Sequence, residues 1–97
     1  MNENFINVLN VHLDTLRQYV PIVKRVHGSA HPEFIEVANN FDVINEKVNN
    51  GNYDLLTEFN NLNKITNNYK IPMDVCESYA HVYNLLKELD DAYRIDL

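Results

Sequence analysis

Apolar residues recur at steps of three and four along most of this sequence, a spacing that places them on one side of an α-helix. The first such run predicts helix one over residues 4 to 27, with a buried side formed by Phe5, Leu9, His12, Leu16, Tyr19, Val23 and Val26. Pro21 lies inside this run, where it removes a backbone N–H and crowds the preceding turn. We therefore expect helix one to be kinked, with the bend near Arg17 to Tyr19.

A corner follows helix one. Gly28 can adopt the left-handed backbone conformation that ends helices, and Pro32 favours the first turn of a new helix. The spacing predicts helix two over residues 32 to 49, ended by Asn50-Gly51. Its buried side should contain Phe34, Val37, Phe41, Ile44 and Val48.

Two more helices complete the prediction. Asn52 can cap helix three, which should fray near Asn67-Asn68. Pro72 should begin helix four, which continues close to the end of the sequence. The buried sides of the two helices should contain Leu55, Phe59, Leu62 and Ile65, and then Val75, Tyr79, Val82, Leu86, Leu89 and Tyr93.

No segment alternates between apolar and polar residues over the length of a strand, so a β-sheet is not expected. A chain of 97 residues suits one hydrophobic core, and short connections between long helices favour antiparallel neighbours. The sequence therefore predicts an all-α fold, in which residues 1–97 form one domain arranged as an antiparallel four-helix up-down bundle.

Composition excludes several classes of partner. The sequence is 45% hydrophobic and 23% charged, yet it lacks the run of about 20 apolar residues that spans a bilayer. The net charge of −6 and the scattered positions of 8 lysines and arginines disfavour nucleic-acid binding. The first residues lack the pattern of a secretion signal, and Cys76 is the only cysteine, so we expect a soluble cytoplasmic protein.

His12 occupies the centre of the apolar side of helix one. A buried imidazole without a partner costs about 1 to 3 kcal/mol, so we expect a tyrosine such as Tyr79 or Tyr83, a carboxylate or a metal beside it. Most inward histidines bind no metal, and on the residues alone a hydrogen-bonded core histidine is the preferred interpretation.

His27 and His31 lie on either side of the predicted corner, and Glu33 and Glu36 follow on helix two. Together they offer nitrogen and oxygen donors suited to iron or zinc. The alternative is a polar corner in which His27 caps the end of helix one and His31 the start of helix two. Spacing alone favours that alternative.

The remaining reactive residue types have ordinary interpretations. His81 lies off the apolar side of helix four and should be exposed, whereas Cys76 in the first turns of that helix should be a small buried residue. Four tyrosines should pack in the core, namely Tyr69, Tyr79, Tyr83 and Tyr93. Since no nucleophile elbow, phosphate loop, CxxC pair or HExxH helix occurs, an independent enzyme is not expected.

Three stretches of the sequence resemble a known family. They are HLDTLRQYVPIVK at residues 12–24, RVHGSAHPEF at residues 25–34 and ITNNYKIPMDVCESYAHVYNLLKELDDAY at residues 65–93. In these stretches the chain resembles the short Ric-type proteins named as iron-sulfur cluster repair di-iron proteins. Those proteins in turn resemble the haemerythrin-like domain of the larger repair-of-iron-centres proteins, a four-helix bundle that holds two irons.

The resemblance implies iron handling in the recovery of iron-sulfur clusters after oxidative or nitrosative damage. By position, His12 matches the first ligand histidine of the larger domain and His27 the second, and His31 belongs to the HGxxHPEF signature of the short form. The larger domain uses five histidines and two bridging carboxylates, including a helix with an HxxxE pair that has no counterpart here. The di-iron ligand set is therefore incomplete.

Two functional hypotheses follow. The first is an iron-handling accessory protein with a partial iron site formed by His12, His27 and His31 together with Glu33 or Glu36, and with iron-sulfur proteins or a second copy as partners. The second is a metal-free helical interaction module that kept the bundle and lost the irons. The resemblance favours the first hypothesis, and the residues alone favour the second.

Overall fold

Four α-helices account for most of the chain. The computed structural model describes residues 2–97, and within that range it contains no strand. The helices are α1, Glu3–His27; α2, Glu33–Asn49; α3, Leu56–Thr66; and α4, Glu77–Ile95. The predicted all-helical fold with four helices is therefore confirmed.

The corner between α1 and α2 differs from the prediction in its backbone. Gly28 has φ −61° and ψ −29°, which is right-handed, so the expected left-handed ending of α1 is wrong. A side chain at Gly28 would instead collide with the carbonyl oxygen of Lys24 and contact Ile35. Glycine is required here because the corner approaches the last turn of α1 so closely.

Helices α3 and α4 both begin later than predicted. The side-chain oxygen of Asn52 accepts a hydrogen bond from the N–H of Asp54 (2.9 Å), which makes a local turn in place of a helix cap. At the other connection, residues 70–76 remain outside the helix, and Cys76 is the residue immediately before α4. Helix α3 ends at Thr66, and the next residues, beginning with Asn67 at φ 53°, have left-handed conformations.

One hydrophobic cluster joins all four helices. Tyr69, Tyr79, Tyr83 and Tyr93 lie in the core as predicted, and Tyr79 and Tyr83 are among its largest fully buried side chains, whereas Tyr19 is only partly buried. Val26 is an exception to the predicted apolar side of α1, because 61% of its surface is exposed. No helix in the described part of the chain is long and apolar enough to cross a membrane.

Aromatic contacts relate the two ends of α1 to α4. The ring of Phe5 lies 5.2 Å from that of Tyr93, near the end of α4. The ring of His27 lies 5.4 Å from that of Tyr79, in the first turn of α4. The end of α1 and the start of α2 are thereby brought beside residues 70–76, and this junction contains the candidate site.

Candidate functional site

Five side chains with metal-ligating atoms meet where α1 ends, α2 begins and α4 begins. We call them the corner cluster, and they are His27, His31, Glu33, Asp74 and Cys76. They come from three parts of the chain, the α1–α2 corner, the first residue of α2, and the segment before α4. Their proximity is therefore a product of the fold.

Backbone hydrogen bonds of the corner set the positions of the two histidines. The N–H of His31 donates to the carbonyl of His27 (2.7 Å), and the N–H of Phe34 donates to the carbonyl of His31 (3.0 Å). This tight turn brings the two imidazole rings to a centroid separation of 6.5 Å. A short corner of this kind can present both rings to the same neighbour.

His31 lies between two carboxylates. Its Nδ1 is 2.7 Å from an oxygen of Glu33, and its Nε2 is 3.1 Å from an oxygen of Asp74. The hydrogen bond to Glu33 raises the pKa of His31 above its usual value; partial burial opposes this increase, and the charge of Asp74 adds to it. Through these two hydrogen bonds, His31 connects the start of α2 to residues 70–76.

His27 pairs with sulfur. Its Nε2 is 3.0 Å from the Sγ of Cys76, and its ring meets the ring of Tyr79 edge to face. The prediction that Cys76 is buried is wrong, because its side chain is exposed. The reason is the late start of α4, which places Cys76 before the helix and outside the core-facing surface of its first turns.

Tyr79 is the buried side chain against which the two histidines of the corner cluster pack. Both histidine rings contact its ring, with centroids at 5.4 Å for His27 and 5.5 Å for His31, and Phe34 packs beside it at 5.0 Å. Its hydroxyl hydrogen-bonds the hydroxyl of Tyr83 (2.9 Å). Burial raises the pKa of both tyrosines, so these hydroxyls stay protonated and neutral at physiological pH.

An open cleft adjoins the corner cluster. It has a volume of about 530 Å³, and Glu33 and Tyr83 line it together with residues 65–67 and 70–73. Glu33 therefore faces both the cleft and His31. A small ligand in the cleft would have direct access to a carboxylate of the cluster.

The structure separates two predicted ligands from the others. His12 pairs with Glu88 (2.8 Å) and stands 15 residues before His27 on α1, about 22 Å away along the helix axis. Glu36 is exposed and lines a different pocket together with Asn40 and Asn61. Only His27, His31 and Glu33 of the predicted set come together.

Sequence reasoning did not select two members of the corner cluster. A helix four that begins at Pro72 includes Asp74 and Cys76 in its first turns, whereas α4 begins only at Glu77 and leaves both residues outside the helix. The contact of Asp74 with His31 spans 43 residues and has no local signature.

The donor chemistry of the cluster suits iron or zinc, but its donors form two separate groups, the pair His27–Cys76 and the row Glu33–His31–Asp74. Among the described residues, no three His, Cys, Asp or Glu side chains are placed to hold one ion. Two imidazoles on one ion have centroids about 5 to 6.5 Å apart, given metal–nitrogen bonds of about 2.1 Å. At 6.5 Å, His27 and His31 are at the upper limit of that range, so a shared ion requires their rings to turn.

Comparison of the chain with family models, curated proteins and solved structures finds no match. The resemblance to the short Ric-type proteins therefore stays a prediction, carried by the sequence stretches quoted above. The corner cluster is defined by geometry alone.

Proposed function

We propose that this protein is an iron-handling accessory of iron-sulfur cluster repair under oxidative or nitrosative stress, with its metal-interacting residues in the corner cluster. The observation that carries the proposal is the convergence of His27, His31 and Glu33 with Asp74 and Cys76. Nitrogen, oxygen and sulfur donors together are the ligand types that divalent iron and zinc accept. His12 and Glu36 are left out of the proposed site.

In this proposal, His27 and His31 would hold the metal through imidazole nitrogens, and Glu33 and Asp74 through carboxylate oxygens. Bound iron would supply Lewis-acid and redox chemistry at this position. Because the cluster is open to solvent and to the adjoining cleft, it leaves room for a further ligand from an iron-sulfur protein.

The test is anaerobic loading with Fe(II), followed by desalting and elemental analysis of the bound metal. Wild-type protein should retain iron, and the His27→Ala/His31→Ala double variant should lose it while its helical circular dichroism is unchanged. His81→Ala is the matched control, because His81 is exposed and contacts Tyr19 away from the cluster. Wild-type protein that retains no iron, or a double variant that retains as much as wild type, contradicts the proposal.

A metal-free interaction module is the second candidate, and one observation favours it. Three large apolar side chains are exposed on α1 and α2 near the corner, namely Ile22, Val26 and Ile35. Apolar surface of this kind is typical of protein contacts, including self-association. Concentration-dependent dimerisation in light scattering, abolished by Val26→Ser and insensitive to metal, would support this candidate, whereas a monomer at all concentrations would count against it.

We further propose an antiparallel up-down arrangement of the helices, similar to haemerythrin but shorter, with α1 kinked near Pro21. Support comes from the contacts of Phe5 with Tyr93 and of His27 with Tyr79, and from the steric effect of proline inside a helix. A cytoplasmic location and the exclusion of nucleic-acid and membrane partners stay predictions.

A further inference from the structure

We propose that an open groove between the end of α1 and the start of α2 is a docking surface for an acidic, amphipathic segment of a partner protein. We call it the basic groove, and the residues that line it are Pro21, Lys24, Arg25, Gly28, Ser29 and Ile35. None of these residues belongs to the corner cluster. The inference therefore goes beyond the proposed function and does not depend on metal binding.

The inner surface of the basic groove is apolar. Pro21 and Ile35 are both exposed, and Ile35 leaves 39% of its surface open to solvent. Gly28 lies between the two helices, where a Cβ atom would collide with the carbonyl oxygen of Lys24 and stand 3.6 Å from Ile35. The groove has a volume of about 460 Å³, which is within the range of about 300 to 1,000 Å³ found for ligand pockets. It can therefore bury apolar side chains of a partner.

The two cations of the groove have no carboxylate partner. Lys24 and Arg25 are exposed and adjacent, and neither forms an ion pair with any residue from 2 to 97. Asp and Glu are absent from the described lining of the groove. The chain as a whole has 14 acidic residues and only 8 lysines and arginines, so carboxylates are not scarce. Their absence here leaves a local patch of uncompensated positive charge on an acidic protein.

Two other clefts of the molecule show the opposite arrangement. Lys70 lines the cleft beside the corner cluster together with Glu33, and Lys64 lines a third pocket together with Glu36. In both, the protein supplies a carboxylate beside the cation. The counter-charges of the basic groove must come from another molecule.

The shape and charge of the groove favour a protein segment as its occupant. An amphipathic segment can place apolar side chains against Pro21 and Ile35 and carboxylates against Lys24 and Arg25. A small inorganic anion would pair with the cations and leave the apolar surface uncovered. An anionic membrane fits less well, because the groove is concave and the net charge of −6 opposes approach to a negative surface.

The experiment measures binding by fluorescence anisotropy in EDTA, which keeps metal out of the comparison. The probes are labelled helical peptides of about 16 residues, with leucines at steps of three and four and glutamates on either side. Wild-type protein should bind at least one of a set that differs in leucine spacing. Added NaCl should weaken binding, because salt screens exposed charges. The same peptide with glutamine in place of glutamate should also bind more weakly.

The variant Lys24→Gln/Arg25→Gln should weaken binding at least about threefold, as expected from the loss of two exposed ion pairs. Ile35→Ala should weaken it as well, through lost apolar contact. The matched control is Lys64→Gln/Lys70→Gln, which removes the same charge from two other unpaired lysines outside the groove and should match wild type. Circular dichroism checks that each variant is folded, and iron retention by Lys24→Gln/Arg25→Gln should equal that of wild type.

Several results would overturn the proposal. One is wild-type protein that binds none of the acidic peptides, and another is an equal loss of binding in the two double-glutamine variants. Binding to vesicles of phosphatidylcholine and phosphatidylserine without binding to peptides would assign the groove to a membrane instead. Sedimentation that shows self-association, lost only in Lys24→Gln/Arg25→Gln, would assign it to a second copy of this chain. None of these results bears on iron retention by the corner cluster.

Discussion

The two ends of α1 use their polar groups in opposite ways. At the Phe5 end, the hydroxyl of Tyr93 accepts a hydrogen bond from the N–H of Leu55 (2.9 Å) and donates one to the carbonyl of Tyr53 (2.8 Å). The carboxylate of Asp96 accepts from the N–H of Phe5 (2.9 Å). At the other end, the corner cluster joins side chains to side chains.

The Phe5 end of α1 is therefore structural, whereas the side chains at the corner end can exchange their hydrogen-bond partners. Backbone groups held by Tyr93 would be left unsatisfied if that side chain turned away, which costs free energy. The side chains of the corner cluster are partly or fully exposed, so water or a metal ion can replace their present partners. Substitutions at the two ends should therefore affect different properties.

The largest expected effect is on stability at the Phe5 end. Phe5→Ala should lower the free energy of unfolding by about 3 to 5 kcal/mol, because the ring is fully buried against Tyr53, Phe59 and Tyr93. Urea denaturation measures the change. His27→Ala is the matched substitution at the corner end and should cost less than about 1 kcal/mol; equal losses would remove the distinction between the ends.

Removal of a single tyrosine hydroxyl group should change the free energy of unfolding by a smaller amount. Tyr93→Phe leaves the buried N–H of Leu55 without its acceptor and should cost about 1 to 3 kcal/mol. Tyr79→Phe leaves only the hydroxyl of Tyr83 without its partner, and because Tyr83 lines the open cleft, where water can replace that partner, the cost should be about 1 kcal/mol or less. The same denaturation experiment compares them, and a larger loss for Tyr79→Phe would reverse the comparison.

The pH dependence of stability should come from the corner end. The pKa of His31 is raised in the folded protein, mainly by Glu33, so its contribution is fully present below its unfolded value of 6.5. That contribution is lost as pH rises through the higher folded pKa. Thermal denaturation at a series of pH values from below 6.5 upward measures this loss. The melting temperature of wild type and of Phe5→Ala should decline as pH rises, and that of His31→Gln should lack this decline. A decline that His31→Gln preserves would assign it to another group.

The smallest expected change in stability is at Glu36, which lies near Glu33 on α2 but outside the corner cluster. Glu36→Gln should change the free energy of unfolding by less than about 0.5 kcal/mol and leave iron retention unchanged, because this side chain is exposed and outside the cluster. Glu33→Gln should reduce iron retention. Equal iron retention in the two variants would exclude Glu33 from the site.

Much of the helical framework could be predicted from sequence, because helix periodicity and turn residues are local signals. Helices α1 and α2 begin and end within a residue or so of the predicted limits. The starts of α3 and α4 could not be predicted, because Asn52 and Pro72 suit both a helix start and a turn. Asp74 in particular is held outside a helix beside His31, which is distant in sequence.

The candidate site was predictable only in part, and for the same reason. His27, His31 and Glu33 are close in sequence, so their proximity follows from the corner. His12 lies about 22 Å from His27 along α1, a separation that follows from the helix rise alone, whereas its contact with Glu88 depends on how α4 packs. A helical pattern indicates which side a residue faces without indicating which residue it meets.

Zn(II) titration followed by ¹H–¹⁵N NMR tests the central claim most directly, because zinc is a diamagnetic probe of the same donors. Amide resonances of His27, His31, Asp74 and Cys76 should shift and saturate at one equivalent, whereas those of Phe5, His12 and Tyr93 should not move. Shifts confined to His12 and Glu88, or no shifts at any residue, would contradict the assignment of metal binding to the corner cluster.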